Sequence, residues 1–389
     1  MYNLCVPCLL GLEGPIGDEL RRMGMQDVSA ENGRVYFGGD ERALASANIR
    51  LRTGERVLIE VGRFDARSFD ELFEKVKALP WENYIPLDGA FPVKGYCLNS
   101  QLMSVPDCQK IIKKAIVDRL GMKYGVSWFG ETGSLYQIQF SVMKDNVSVC
   151  IDTTGSGLHK RGYRPAHNAA PLKETIAAAM VGFSRYRGRD DFCDPFCGSG
   201  TIPIEAALIA RNIAPGISRS FTAESWKQLP ESVWTEVRSE ARDAEYHGSY
   251  SITGSDIDPA AIKLARENAE RAGVADIVRF ETADAMSFAR ETSSGTIVTN
   301  PPYGERIMEK SEAEELYRGF GRAWADTENW KLYLLSSHTE FERTFGRQAD
   351  KKRKLYNGMI KCDLFMYFRQ SDASQAGQRT PSNIDRSRK

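Results

Sequence analysis

The sequence has no apolar run near the ~20 residues that a membrane-spanning helix needs. Its start, MYNLCVPCLLGL, has no basic leader before a long apolar core, so no signal peptide is expected. It has no charge excess either. Fifty-two Lys+Arg stand against 52 Asp+Glu, which argues against a histone-like or acidic-chaperone role but leaves room for a local basic face. A disulfide framework is also missing: the 8 cysteines in 389 residues lie mostly inside apolar strand-like runs and read as buried reduced thiols. Cys5 and Cys8 have redox or zinc spacing, but no second Cys/His pair joins them. His159, His167, His247 and His338 are scattered, so no metal is expected. What is present, 42% hydrophobic and 27% charged residues, reads as a soluble cytoplasmic protein, and the length suggests two or three domains.

Through residue 155 short strand-like and helix-like segments alternate, and no phosphate-cradling glycine loop occurs. Strands are expected at 3–10, 33–38, 56–63, 91–98, 135–141 and 147–152, and helices at 14–23, 41–47, 68–79 and 105–120. In the last helix Ile111, Ile112, Ala115, Ile116 and Leu120 recur at helical spacing, with Lys110, Lys113, Lys114 and Arg119 on the remaining face. Small α+β modules follow from this pattern, a binding appendage more than a reaction centre. From about residue 170 longer units take over. Helices are expected at 171–181, 200–212 and 259–272, and strands at 191–194, 251–256, 277–281, 296–300 and 331–336. Strands 353–356 and 360–368 flank Asn357-Gly358, a strong hairpin dipeptide. The fold class is therefore α/β, a doubly wound parallel sheet with an antiparallel last strand. Residues 371–389 are polar and read as a disordered tail. Residues 213–248, with Trp226 and Trp234, form an insertion without a task legible in its residues.

Chemistry gathers at four strand ends. Asp194-Pro-Phe196-Cys-Gly198-Ser-Gly200-Thr201 places glycines where a backbone can approach a ligand and a helix begins. Alone, it reads equally well as a tight turn. No lysine follows Gly200, which excludes a P-loop. Pro203 takes the place of a dinucleotide site's third glycine, and the next acidic strand end, Asp256, lies far beyond the usual spacing of about 20 residues. In Gly254-Ser-Asp256-Ile257-Asp258-Pro259, Asp256 suits two vicinal ribose hydroxyls, while Asp258 before Pro259 reads as a helix cap. Asp284 could accept from an adenine amino group, or be a solvated loop aspartate. The ordered set suits an adenosine ligand without phosphates.

The fourth strand ends in Asn300-Pro301-Pro302-Tyr303, continuing Gly304-Glu305-Arg306. Two prolines withdraw two N–H donors, so carbonyl acceptors face a ligand. Asn300 adds a carbonyl and Tyr303 a ring. This is the complement of a planar exocyclic amine, which presents two N–H donors and a π-face. Acceptors that orient those N–H bonds favour the geometry in which the lone pair meets an electrophile. The competing reading is a rigid strand-end turn.

Together with Gly157-Leu-His159-Lys160-Arg161-Gly-Tyr163-Arg164 and Ala170-Pro-Leu-Lys173-Glu174, these motifs make the chain resemble the bacterial THUMP-domain, S-adenosylmethionine-dependent RNA guanine-N2 methyltransferases of ribosomal RNA. The resemblance spans about residues 1–370. It implies a ferredoxin-like subdomain (1–65), a THUMP RNA-binding module (66–155, with an alternative start near 45) and a Rossmann-like class I methyltransferase domain (156–370). It implies S-adenosyl-L-methionine as cofactor: Asp194, Gly198 and Gly200 at its methionine end, Asp256 at its ribose and Asp284 at its adenine, with Phe196, Thr201 and Ile257 alongside. Asn300, Pro301, Pro302 and Tyr303 would hold the target amine. The implied partner is RNA of the large ribosomal subunit, and no second methyltransferase domain is expected after the first. Lys160, Arg161, Tyr163 and Arg164, with Lys173, His159 and His167 and no acid among them, suit phosphates beside a stacked base, with a plain solvated face as the alternative. Lys110, Lys113 and Lys114 are further candidates for RNA contact. Adenine-N6 methylation and a non-catalytic RNA-binding assembly role are the competing functions.

Overall fold

The computed structural model describes residues 1–164, 172–290, 292–303, 310–327, 329–358 and 360–368. His167, residues 170–171 of the second basic motif, residues 304–306 after the tetrad and the tail 371–389 lie outside them. The chain divides into two compact units: 1–162 with 213–245, and 163–212 with 246–389. Among the described residues no helix is long and apolar enough to cross a membrane.

Unit 1 begins with β1 (Tyr2–Pro7), α1 (Glu13–Arg22), β2 (Gln26–Glu31), β3 (Arg34–Gly39), α2 (Glu41–Arg50) and β4 (Leu58–Asp65). It continues through α3 (Phe69–Lys77), β5 (Val93–Leu98), α4 (Val105–Tyr124), β6 (Ile138–Met143) and β7 (Asn146–Asp152). The strands form a single sheet in the order β2-β3-β1-β4-β7-β6-β5, so β4 joins the N-terminal strands to those that follow. Strand β3 alternates half-buried and buried residues, as a one-sided sheet requires. Ser104 caps α4 by accepting from Asp107 N, and Gly125 in a left-handed conformation (φ 70°) ends it. Cys108, Ile112, Ala115, Ile116 and Leu120 are the buried stripe of that helix, close to the periodicity read from the sequence. Strand β2, exposed along most of its length, has too weak an apolar pattern to be anticipated.

Unit 2 opens with α5 (Glu174–Ser184), β8 (Asp191–Asp194) and α6 (Thr201–Ala210). The chain then enters unit 1 for the insertion, which contains a 3-10 turn (Thr222–Ser225) and α7 (Glu231–Asp243). Back in unit 2 come β9 (Ile252–Asp256), α8 (Pro259–Arg271), β10 (Val278–Thr282), β11 (Gly295–Thr299) and α9 (Lys310–Ala325). The last elements are β12 (Trp330–Ser336), α10 (Phe341–Phe345), β13 (Lys351–Asn357) and β14 (Ile360–Tyr367). The sheet order is β10-β9-β8-β11-β12-β14-β13. The first five strands pair in parallel and β14 runs antiparallel to both β12 and β13, which gives the reversed ending expected of the class I methyltransferase sheet. Asn357 pairs with Ile360, and Gly358 takes φ +66°, the left-handed turn for which the Asn-Gly dipeptide is suited. One core lies between β11, β12, β14, α9 and α10, where Ile297, Leu332, Phe320, Trp324, Phe341 and Tyr367 are all buried.

Candidate active site

The strand order turns back between β8 and β11, the switch point where the crevice of an open α/β sheet forms. The glycine turn leaves the end of β8, Asp256 ends β9, Asp284 follows β10, and the tetrad follows β11. Hydrogen bonds lock these ends together. Gly198 N donates to Asp256 Oδ2 at 2.9 Å, Cys197 N to the Ser255 carbonyl at 2.9 Å, and Ala283 N to the Asp256 carbonyl at 3.0 Å. Asp256 Oδ1 also accepts from Asp258 N at 3.0 Å, while Asp258 caps α8 through Ala260 N. Asp284 Oδ1 accepts from Met286 N at 2.9 Å, so the loop-capping role is filled in addition to any contact it makes outward. Ile257 points its apolar side chain into solvent, 68% exposed.

Both glycines are demanded by the backbone. Gly200 has φ +84°, and a Cβ there would stand 2.9 Å from the Phe280 ring and 3.0 Å from Ala265 Cβ. Gly198 has φ +49°, and a Cβ would meet nothing within 4 Å, so the turn opens onto free space above it. Asn268 Nδ2 steadies the turn from α8 by donating to the Ser199 carbonyl at 2.9 Å.

Asp194 is buried to 1% exposure. Its Oδ1 accepts from Thr299 Oγ1 at 2.7 Å and from Phe196 N at 3.1 Å. Burial pushes its carboxyl up to about 7; the two hydrogen bonds act in the opposite direction, and nearby Asp256 adds to the rise. Thr299 is the last residue of β11, so this one bond joins the glycine turn to the residue immediately before Asn300. Pro301 is buried, and Asn300, Pro302 and Tyr303 are half-buried. The Pro302 carbonyl accepts from the Tyr317 hydroxyl at 2.6 Å, and that hydroxyl also lies 3.3 Å from Ser336 Oγ. The Tyr303 hydroxyl donates to the Asn300 side-chain carbonyl, so the acceptor that the sequence offers to a substrate amine already has a partner within the tetrad. Burial raises the Tyr303 phenol well above its usual range. Phe196 packs edge-on against Phe320 at 5.2 Å.

Two carboxylates, an open glycine turn and an exposed isoleucine, with no cation placed for a phosphate in either motif, fit an adenosine that carries an ammonium-bearing arm. That donor chemistry matches S-adenosylmethionine.

The basic segment is different from its sequence reading. Arg164 pairs with Glu174 at 2.7 Å and donates to Thr201 Oγ1 at 3.2 Å, and the buried Tyr163 hydroxyl donates to Glu205 at 3.3 Å. Arg161, 6% exposed, donates to the Leu158 carbonyl at 2.7 Å and to the Arg52 carbonyl. Lys113 pairs with Glu131 at 2.5 Å and lies 3.4 Å from the Phe91 ring centre, and burial pulls its ammonium below the usual range. Arg161, Tyr163 and Arg164 are therefore fastened by internal bonds, which corrects their reading as RNA contacts, while Lys113 is half-buried and already paired. Glu131 holds Lys113, Glu205 accepts from Tyr163, and Glu174, which closes the second motif right after Lys173, holds Arg164. Lys160, Lys110 and Lys114 remain exposed.

Comparison with known proteins agrees with this geometry. The family model described as RMKL-like, methyltransferase domain matches residues 161–365, the RlmL ferredoxin-like domain matches 3–58, and the THUMP domain matches 66–152. YpsC of Bacillus subtilis (strain 168), provisionally named an RNA methyltransferase, is 44% identical over 370 residues, covering 94% of this chain and 96% of its own. A solved protein from Listeria monocytogenes str. 4b F2365, described as a predicted N6-adenine-specific DNA methylase, is 48% identical with TM-score 0.90, covering 95% of this chain and 96% of its own. SMU.472, provisionally described as a methyltransferase and solved in complex with SAH, is 42% identical with TM-score 0.90, covering 95% and 98%. The chain belongs to the RMKL-like methyltransferase family and is an S-adenosylmethionine-dependent enzyme whose methyltransferase domain is preceded by a ferredoxin-like domain and a THUMP domain.

Proposed function

We propose that this enzyme methylates the exocyclic N2 amine of a guanine in ribosomal RNA of the large subunit. The observation that carries the reading is the 2.7 Å bond from Thr299 to Asp194, which sets the tetrad beside the glycine turn. RNA as the substrate class is supported by the THUMP match and by the name of the Bacillus relative.

When bound, S-adenosylmethionine supplies an electrophilic methyl group and leaves as a neutral thioether. Asp194 and the turn at Gly198 and Gly200 would hold its methionine end, Asp256 its ribose hydroxyls, and Asp284 with Ile257 its adenine, with Phe196 and Thr201 shaping the turn. The target base is flipped out of its stack, at a cost of a few kcal/mol. Stacking on Tyr303, worth ~1–3 kcal/mol, offsets much of that. The Asn300 and Pro301 carbonyls accept the two amine N–H bonds, and the incoming amine takes the place of the Tyr303 hydroxyl on Asn300. As the nitrogen gains the methyl group it becomes cationic and acidic. The same carbonyls stabilise that charge, and one proton is then lost to water.

A second reading, adenine-N6 methylation, is favoured by the description of the Listeria protein and uses the same acceptors. Tritiated methyl transfer to total RNA from cells lacking the gene, followed by mass spectrometry of the labelled nucleoside, separates the two. N2-methylguanosine is expected; N6-methyladenosine would install the second reading, and unlabelled RNA would overturn both.

A further inference from the structure

None of the residues read at the methyl-transfer site lies in the insertion between α6 and β9, and a plain connection in such a sheet needs only a few residues. It is nevertheless heavily bonded. Its two ends close on each other in unit 2, where Tyr246 N donates to the Arg211 carbonyl at 2.7 Å. Its body belongs to unit 1 and meets three separate pieces there. Gly216 N donates to the Ile49 carbonyl in α2 at 2.9 Å. Arg219 donates to the carbonyls of Ser156, Gly157 and Lys160, and Ala223 N donates to the Thr153 carbonyl at 3.0 Å, which gathers the connector after β7.

The third contact is with the THUMP domain. Trp226, 3% exposed, stacks on Tyr136 at 4.7 Å and 19°, and its indole N–H donates to the Leu135 carbonyl at 2.9 Å. Gln228 accepts from the Tyr136 hydroxyl at 3.0 Å and donates to the Tyr84 carbonyl at 2.7 Å. Helix α7 then returns to α2, where Glu240 pairs with Arg42 and Arg50.

We propose that this insertion is a strap that sets the THUMP domain in register with the rest of unit 1, with Trp226 and Gln228 as positioning residues for the RNA. Two of the three points at which the chain passes between units are the strap's own ends, so the RNA-holding unit is tethered through it as well as through the connector. The proposal rests on RNA being the substrate.

The test is filter binding of bulk ribosomal RNA from cells lacking the gene, with calorimetric titration of S-adenosylmethionine and methyl transfer at saturating RNA, on Trp226→Ala, Trp226→Phe and Gln228→Ala. Loss of the stack and the indole bond should weaken RNA binding about tenfold in Trp226→Ala. Trp226→Phe should recover part of that, and Gln228→Ala, at an exposed position, should lose several-fold with its fold intact. Cofactor affinity and saturating turnover should not change. Should Trp226→Ala fail to fold, the Gln228→Ala result decides. Unchanged RNA binding in the folded variants overturns the strap and leaves the RNA reading standing, as does a parallel loss of cofactor affinity, which would mark a general structural role. A wild-type protein that retains no RNA removes the RNA reading and the strap together.

Discussion

Asp194 joins two motifs and is also a buried carboxyl, and the two properties predict a pH dependence. Burial holds its folded-state value at about 7, above the unfolded value of 3.8. Between those values the folded protein keeps a proton that the unfolded chain has released, so this group's contribution to stability declines as pH rises from about 4 to about 7. Asp194→Asn keeps Oδ1 for Thr299 and Phe196 N and should flatten that slope in urea unfolding followed across the range. If the carboxylate meets the ammonium of the cofactor, affinity should rise with pH through the same window and the rise should vanish in the variant. Asn300→Ala should reduce methyl transfer by at least ~100-fold, the scale set by removing one electrostatic acceptor of a developing charge. Its cofactor affinity, measured by calorimetry, should stay near that of wild type. Turnover equal to wild type would remove Asn300 from the chemistry.

Elements carry the tetrad as much as its own residues do. Tyr317 on α9 is buried to 1%, edge-on to Phe341 at 5.0 Å, and it donates to the Pro302 carbonyl. Tyr317→Phe keeps the ring and loses that bond, so stability should fall by about 1 kcal/mol. Turnover should fall with it while cofactor affinity and KM for RNA hold, and a drop in cofactor affinity would argue against this division of labour. Helix α9 was not read from the sequence, although its buried residues Ala313, Tyr317, Phe320 and Trp324 recur at helical spacing. By contrast β8, β9 and the hairpin around Asn357-Gly358 were legible because local turn chemistry specifies them. The four strand-end motifs were legible for the same reason, since each is a short contiguous run. The fastening of Arg164 to Glu174 and of Tyr163 to Glu205 was not, because the sequence does not say which acid on another segment a polar side chain will meet.

At the scale of the whole molecule, equal numbers of acidic and basic residues leave no net charge to attract RNA, so attraction must come from how the cations are placed. Lys160, Lys110 and Lys114 are the exposed members of the expected set. Lys160→Ala should therefore reduce the slope of log affinity against log salt by about 1, measured by filter binding between about 50 and 200 mM salt. An unchanged slope would take Lys160 off the RNA path. The allegiance of residues 213–245 could not be seen in the sequence, because nothing in a run of residues tells a loop which neighbour it will pack on. The closure of Tyr246 onto Arg211 has a further consequence. To the catalytic sheet, everything between those two residues has almost no span, so its length and content can change while β8 and β9 stay paired.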